Sequence, residues 1–171
     1  MLKTILSASG ISIALLSGAA SAATVSVDVY AAENSTTGGT GGAVSLFLYA
    51  GQTFTVTADP DDLWILGGPP GREGNADGLP LYPGYSQGGL TDNFGTLVGR
   101  IGEVGDFFEI GTNYSGMAST TGQLYLFNFD SNSFDNEGFI TAVASVPLPA
   151  GGLLLLGALG GIAALRRRKA V

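Results

Sequence analysis

The feature that most constrains the fold of this chain is a series of short runs in which polar and apolar residues alternate. Residues 24–30 read Thr-Val-Ser-Val-Asp-Val-Tyr, and residues 52–58 read Gln-Thr-Phe-Thr-Val-Thr-Ala. A period of two is typical of β-strands that bury one face, and no long run between residues 23 and 145 has the helical period. Further runs complete about seven predicted strands: residues 43–50, 96–101, 107–110, 123–129 and 139–143. Clusters of Gly, Asn, Asp, Ser and Pro separate them, so we expect an all-β jelly roll or β-sandwich.

The first 22 residues have the organisation of a secretory signal peptide. Lys3 supplies a positive charge, residues 5–16 are mostly apolar, and Ala20-Ser21-Ala22 has the small residues that a signal peptidase accepts. The alternative is an N-terminal core helix, which would not need this order of parts. We predict cleavage after Ala22 and export of residues 23–145 as one domain.

The chain closes with a second apolar segment. Residues 148–165 carry no charge and, as an α-helix, would reach roughly 27 Å, enough to cross a bilayer core. A basic cluster follows at once: Arg166, Arg167, Arg168 and Lys169. Because basic flanks favour the cytoplasmic side, we predict a transmembrane helix with the exported domain outside. A buried helix of a soluble domain is the alternative.

The order of these parts resembles the VPLPA-CTERM sorting signal, a variant of the PEP-CTERM family. The motif consists of Val146, Pro147, Leu148, Pro149 and Ala150. The resemblance implies that residues 146–171 hold an exported protein in the inner membrane until an exosortase-like transpeptidase cuts near the prolines. The protein is then secreted or attached to the cell envelope or surface. Prolines disfavour helix before the span, which keeps the cutting site extended.

Charge and residue types exclude several classes of function. The exported part keeps only Arg72 and Arg100 against all fourteen acidic residues, a formal net charge of −12. It should therefore repel nucleic acid and attract divalent cations. The sequence has no Cys and no His, which rules out disulfides, Cys/His zinc sites and a Ser-His-Asp triad. A metal would have only oxygen ligands, a set that favours calcium.

Two other loops have an unusual composition. Residues 36–42 are rich in Gly and Thr and lack the Gly-Lys-Ser/Thr of a phosphate loop, so we expect a flexible connection. Residues 67–89 form a long segment with four prolines, and loops of that length are often functional.

Arg100, at a predicted strand end, is expected to pair with an acidic side chain.

One further loop has the composition of an oxygen-ligand site. Residues 128–138, which we call the acidic loop, read Asn-Phe-Asp-Ser-Asn-Ser-Phe-Asp-Asn-Glu-Gly between two predicted strands. Carboxylate and amide oxygens crowded in a tight loop can replace the water around Ca²⁺. The loop is not an EF-hand, because its Gly and Glu are misplaced and no helices flank it. A polar hairpin turn is the alternative, since Asn, Asp and Ser favour turns.

Four stretches in one order resemble the galactophilic PA-I lectin-like family, which has a galactose-binding-domain-like jelly roll. They are residues 59–64, 75–79 and 95–102 and the acidic loop, within a resemblance that covers residues 51–143. The resemblance implies one calcium at the tip of the sandwich that also ligates sugar hydroxyls. The implied ligands are Asp130, the Ser133 carbonyl, Asp135, Asn136 and a carbonyl within residues 63–66.

The chain departs from that family in ways that affect the sugar more than the calcium. Its loop is about two residues shorter, Asp135 stands where an Asn is expected, and the sugar-contacting His has no counterpart. We assign Trp64, Asn75 and Asp77 to ligand contact. For Trp64 a place in the core is the favoured alternative, because a single Trp in a β-sandwich is more often buried.

Together these patterns predict an exported, non-enzymatic protein that binds extracellular polysaccharide with the help of calcium. Two alternatives stay open: a structural envelope protein without a ligand, and a secreted hydrolase that uses a carboxylate pair. Candidate pairs are Asp61 with Asp62 and Asp130 with Asp135, although nothing in the sequence sets their separation. Calcium-dependent retention on polysaccharide would distinguish the binding protein from the structural one.

Overall fold

The protein is all-β in the part of the chain that the structure describes. The structure is a computed structural model and describes residues 23–68, 72–147, 157 and 160. Strands, turns and bends account for residues 23–68 and 72–147, without a helix. The all-β prediction is therefore confirmed for the exported domain.

The predicted terminal segments lie outside this description. The signal peptide, the sorting residues Leu148, Pro149 and Ala150, and the basic cluster at residues 166–169 are not among the described residues, and neither is most of the predicted span. Among the residues that are described, no helix is long and apolar enough to cross a membrane.

Twelve strands follow one another along the domain. All of the runs predicted from alternation form strands, and five short strands join them. In chain order they are β1 (Ala23–Tyr30), β2 (Ala43–Leu48), β3 (Thr53–Ala58), β4 (Trp64–Leu66), β5 (Glu73–Gly74), β6 (Tyr85–Gln87), β7 (Leu90–Asp92), β8 (Leu97–Ile101), β9 (Phe108–Glu109), β10 (Asn113–Met117), β11 (Gly122–Asn128) and β12 (Asn136–Val146).

Two antiparallel sheets pack face to face as a sandwich. The first has the order β10-β3-β12-β4-β5, with β1 also paired to β12, and the second has the order β2-β11-β8-β9. Alternate residues of both sheets point into one buried cluster, as the period-two pattern predicts. From the first sheet come Phe54, Val56, Ile140 and Ala142, and from the second Leu97, Leu124 and Leu126.

The outer face of the second sheet is covered as well. The hairpin of β6 and β7 packs Tyr85 and Leu90 against a second apolar cluster, formed by Val98, Phe107, Phe127 and Phe129. Arg100 lies on this face, and its guanidinium carbon is 5.2 Å from the Phe107 ring centroid and 4.9 Å from that of Phe127. Cation–π stacking thus takes the place of the expected pairing with an acid.

The long strand β12 joins the two ends of the sandwich. Its first residue, Asn136, pairs with Leu66 of β4, and its last, Val146, pairs with Ala23. The ten intervals between its eleven residues span roughly 33 Å at about 3.3 Å each. Val146 is buried in this strand, so the folded domain runs one residue past the boundary predicted at residue 145.

Candidate cation site in the acidic loop

The acidic loop lies where β11 ends and β12 begins, at the end of the sandwich opposite the Ala23–Val146 pair. Its polar side chains are unusually buried: Asp130 is 5% exposed and Asn136 is 6% exposed. Phe134, at the tip, is 88% exposed instead. The loop therefore turns its oxygens inwards and its one apolar tip residue towards solvent, the reverse of an ordinary polar hairpin turn.

The loop between β1 and β2 holds the acidic loop from one side. The Thr36 hydroxyl donates to the Asp130 carbonyl at 2.9 Å and accepts from the Asp130 N–H at 3.1 Å. The Ser35 hydroxyl donates to the Asn132 carbonyl at 2.7 Å. Thr37 bonds in turn to the Tyr85 hydroxyl at 3.1 Å. The connection that was expected to be flexible is thus tied to the site at its beginning.

Two asparagines at the strand ends direct their amide nitrogens towards the scaffold. Asn128 Nδ2 donates to the Ala31 carbonyl at 3.0 Å, and Asn136 Nδ2 donates to the same carbonyl at 3.3 Å. Asn136 Nδ2 also donates to the Asn132 carbonyl at 3.1 Å. Because the nitrogen of each amide is committed to the backbone, its oxygen is left for another partner.

A group of buried oxygens in this loop accepts no hydrogen bond from protein. The atoms are Asn128 Oδ1, Asn132 Oδ1, Asp135 Oδ1 and Asn136 Oδ1. Leaving a buried acceptor unsatisfied costs about 1–3 kcal/mol, so unpaired acceptors are few in native proteins. Several of them in one short loop indicate a site for a cation that accepts oxygen ligands.

The raised pKa of Asp130 also favours a cation site in the acidic loop. Burial raises the pKa of Asp130 above its ordinary value, and the charge of Asp135 raises this pKa further. The Asn136 side chain and the N–H groups of Ser131 and Asn132 lower it but do not reverse the shift. A second negative charge beside a buried carboxylate is unfavourable by itself, and a divalent cation would remove the conflict.

The residues assigned to calcium are close together in the structure. Asp130 lies close enough to Asp135 and Asn136 for both side chains to affect its pKa, and the Ser133 carbonyl accepts the Asn136 N–H at 3.4 Å. Among residues 63–66, Leu66 pairs with Asn136. Within the described ranges no group of three or more His, Cys, Asp or Glu side chains is placed to hold a metal. The loop offers two carboxylates together with amide and carbonyl oxygens, which fits calcium.

A small cavity opens beside the loop. Its volume is about 110 Å³, and Asp130, Ser131 and Asn132 form one wall. The opposite wall consists of Leu66, Arg72, Leu79, Tyr82 and Phe94. The guanidinium carbon of Arg72 lies 4.6 Å from the centroid of the Tyr82 ring. The site thus combines acidic oxygens, a guanidinium group and aromatic rings around one space.

The residues assigned to ligand contact have scaffold roles. Trp64 is 0% exposed and belongs to the core, which contradicts a stacking contact with a sugar and agrees with the alternative of burial. Asn75 donates to the Pro60 carbonyl at 3.0 Å and accepts from the Asp77 N–H at 3.0 Å. Asp77 accepts from the Thr112 N–H at 2.6 Å. These bonds assign Asn75 and Asp77 to turns away from the cavity lining.

A larger, open depression of about 640 Å³ lies over the β3–β4 loop, residues 59–62. Its acidic side chains already serve the backbone: Asp62 accepts from the Thr141 N–H at 2.8 Å, and Asp59 accepts from the Asp61 N–H at 3.0 Å. No buried, unpartnered oxygen has been found among the described residues that line it. The cavity beside the acidic loop is therefore the better candidate.

Comparisons with known proteins define no family for the chain. No protein-family description matches it, and no curated protein matches it. A solved structure described as "EclA N-terminal domain; PllA-like lectin" is similar, with 24% identity and a TM-score of 0.48, over 72% of this chain and 94% of that one. This degree of similarity does not establish a common fold or ligand, so the function has to be argued from the residues of this chain.

Proposed function

We propose that this protein is an exported, calcium-dependent carbohydrate-binding protein without catalytic activity. The observation that supports it most is the group of buried, unpartnered oxygens in the acidic loop. A polar turn would not need to bury Asp130 and Asn136, nor to place Asp135 where it raises the pKa of Asp130. A bound divalent cation would explain both features, because it would bind the buried oxygens and offset the charges of the two neighbouring carboxylates.

The calcium would be held by the turn between β11 and β12, by the first residue of β12 and by the last residue of β4. Asp130 and Asp135 supply carboxylates, Asn136 an amide oxygen, Ser133 a carbonyl, and Leu66 is placed to supply a second carbonyl. Asn132 Oδ1 is a further candidate, because it is buried and accepts no hydrogen bond. When bound, calcium would supply a positive centre for the hydroxyl oxygens of a sugar.

The lining of the cavity offers both apolar and polar surface to a part of a sugar. Tyr82 and Phe94 offer aromatic surface, and the edge formed by Asp130 and Asn132 offers hydrogen-bond acceptors. Polysaccharides present both surfaces, because their rings carry C–H faces and hydroxyl edges. Extracellular polysaccharide is therefore the partner that we propose.

Retention on polysaccharide tests the proposal directly. The full chain in detergent should bind immobilised extracellular polysaccharide in calcium and elute in EDTA. Asp135→Asn, which keeps the shape and removes one ligand charge, should weaken the calcium-dependent retention. Asp61→Asn is the matched control, because Asp61 is exposed in another acidic segment. Retention that is equal in calcium and EDTA would refute the calcium dependence, and no retention in either condition would favour a structural envelope protein.

Export and sorting form the second half of the proposal. The signal peptide at residues 1–22 and the tail at residues 146–171 support a route through signal peptidase, transient anchoring in the inner membrane, and transpeptidase processing. An internally tagged chain should shift from the membrane to the envelope or medium fraction as it is shortened. Replacing Pro147 and Pro149 by Ala should leave the longer form in the membrane. Processing that is unchanged in this variant would contradict the assignment of the motif.

A further inference from the structure

The cavity beside the acidic loop contains a cation of its own. The exported domain has two arginines, and Arg100 contacts the Phe107 and Phe127 rings on the outer face of the second sheet. Arg72 lines the cavity together with Asp130. Because the domain has so few basic residues, we expect the guanidinium beside the proposed calcium site to have a specific role in binding.

Arg72 lies next to the carboxylates of the acidic loop. A Cβ atom placed on Gly67 would lie 3.1 Å from Asp135 Oδ2 and 3.5 Å from Arg72 Nη1, so both groups flank the same point. Without calcium, the negative charges attract the guanidinium. With calcium, the two carboxylates offset the two charges of the ion, and the charge of Arg72 is left over.

The position of Arg72 suits recognition of a planar or tetrahedral anion. The Arg72 guanidinium lies over the Tyr82 ring, 4.6 Å from its centroid, and a contact with a ring face does not use the N–H groups at the guanidinium edge. That edge binds carboxylate and sulfate through paired, charge-assisted hydrogen bonds. The cavity of about 110 Å³ has the volume of only a few water molecules at about 30 Å³ each. It can admit one substituent of a sugar but not a whole ring.

We propose that the site selects an anionic sugar, with hydroxyls on the calcium and a carboxylate or sulfate substituent in the cavity against Arg72. This inference rests on the proposed carbohydrate-binding function. A neutral sugar would cover Arg72 without pairing its charge, and leaving a charged donor unpaired on binding is costly. An acidic extracellular polysaccharide is the class of partner that meets both positive centres.

Calorimetric titration of the full chain in detergent, with calcium present, tests the inference. The probes are methyl hexosides and the matching methyl uronides in the gluco, galacto and manno series, with the 6-sulfated hexosides as a separate arm. We expect at least one uronide or sulfated sugar to bind about tenfold more tightly than its neutral counterpart. The two anionic arms show whether the acceptor is a carboxylate or a sulfate.

Arg72→Gln should remove this preference while calcium still raises the thermal midpoint by the wild-type amount. Glu73→Gln is the control: it changes the charge of an exposed neighbour and should not alter the preference by more than about twofold. Neutral sugars that bind with calcium as tightly as anionic ones would overturn this inference and leave the proposed function standing. A preference that survives in Arg72→Gln would also overturn it. If no sugar binds although calcium does, the proposed function fails and the inference fails with it.

Discussion

A single hydroxyl group serves both backbone groups of Asp130: Thr36 Oγ1 donates to the carbonyl at 2.9 Å and accepts from the N–H at 3.1 Å. A hydroxyl can do both, because it carries one proton and two lone pairs. The backbone of the proposed cation ligand is therefore positioned by a residue 94 positions away in sequence. The β1–β2 loop is part of the site although it supplies no ligand.

Thr36→Val should destabilise the protein and weaken calcium binding together. Valine keeps the shape of threonine but leaves the N–H and carbonyl of Asp130 without a partner, at a cost of about 1–3 kcal/mol. Urea unfolding in EDTA measures the first effect and calcium titration the second. Thr40→Val is the control, because the Thr40 hydroxyl bonds only within its own loop, to the Glu33 carbonyl. Equal effects of the two variants would contradict the positioning role.

Asp135→Asn should have opposite effects without and with calcium. In EDTA it removes a like charge near buried Asp130, so the thermal midpoint should stay equal to that of the wild type or rise. In calcium it removes one of the two ligand charges, so the variant should lose part of the stabilisation that saturating calcium gives the wild type. A midpoint that falls equally in both conditions would indicate a purely structural role for Asp135.

The stability of the calcium-free protein should depend on the protonation of Asp130. Burial and Asp135 raise the pKa of Asp130 in the folded state, so folding favours its protonated form. Its contribution is fully present below the unfolded pKa of about 3.9 and is lost as pH rises through the raised folded pKa. Calcium needs the carboxylate, so its affinity should fall as pH drops through the same window. Thermal midpoints against pH in EDTA, compared with Asp130→Asn, measure the contribution; parallel curves would contradict it.

Gly95→Ala should destabilise the core beneath the site. Gly95 has a φ of 78°, and a Cβ there would overlap the Leu66 side chain. Gly84 has a similar φ of 88° but open space around it. We expect about 1 kcal/mol for Gly84→Ala from backbone strain alone, and a further 1–3 kcal/mol or so for Gly95→Ala from overpacking. Denaturant unfolding measures both, and equal losses would show that the overlap is relieved without cost.

The sequence was sufficient for the strands that alternate over several residues. β3 and β12 bury every second side chain, and that pattern is visible without a structure. The missed strands are β4 to β7, which have two or three residues and cannot display a period, and β10. β10 reads Asn-Tyr-Ser-Gly-Met, a composition that favours turns, and only its pairing with β3 makes it a strand.

The sequence predicts the part of the site that lies within the acidic loop, but not the residues that reach this loop from elsewhere in the chain. Asp130, Asp135 and Asn136 stand close together in sequence, so their oxygens could be recognised as a set. Ser35, Thr36 and Arg72 reach the loop through the fold, and no local pattern marks such contacts. The unpartnered oxygens of Asn128 and Asn132 are also properties of packing, since their residue types suit any turn.

The two ends of β12 have a mechanical consequence. A load between a ligand at Asn136 and the chain beyond Val146 would run along this one strand. β12 pairs with eight residues of β1 and with four of β3, so pulling would stress many hydrogen bonds at once in shear instead of opening them one by one. If the domain binds its ligand and is anchored by its tail as proposed, β12 would carry the tension between the two through hydrogen bonds loaded in shear.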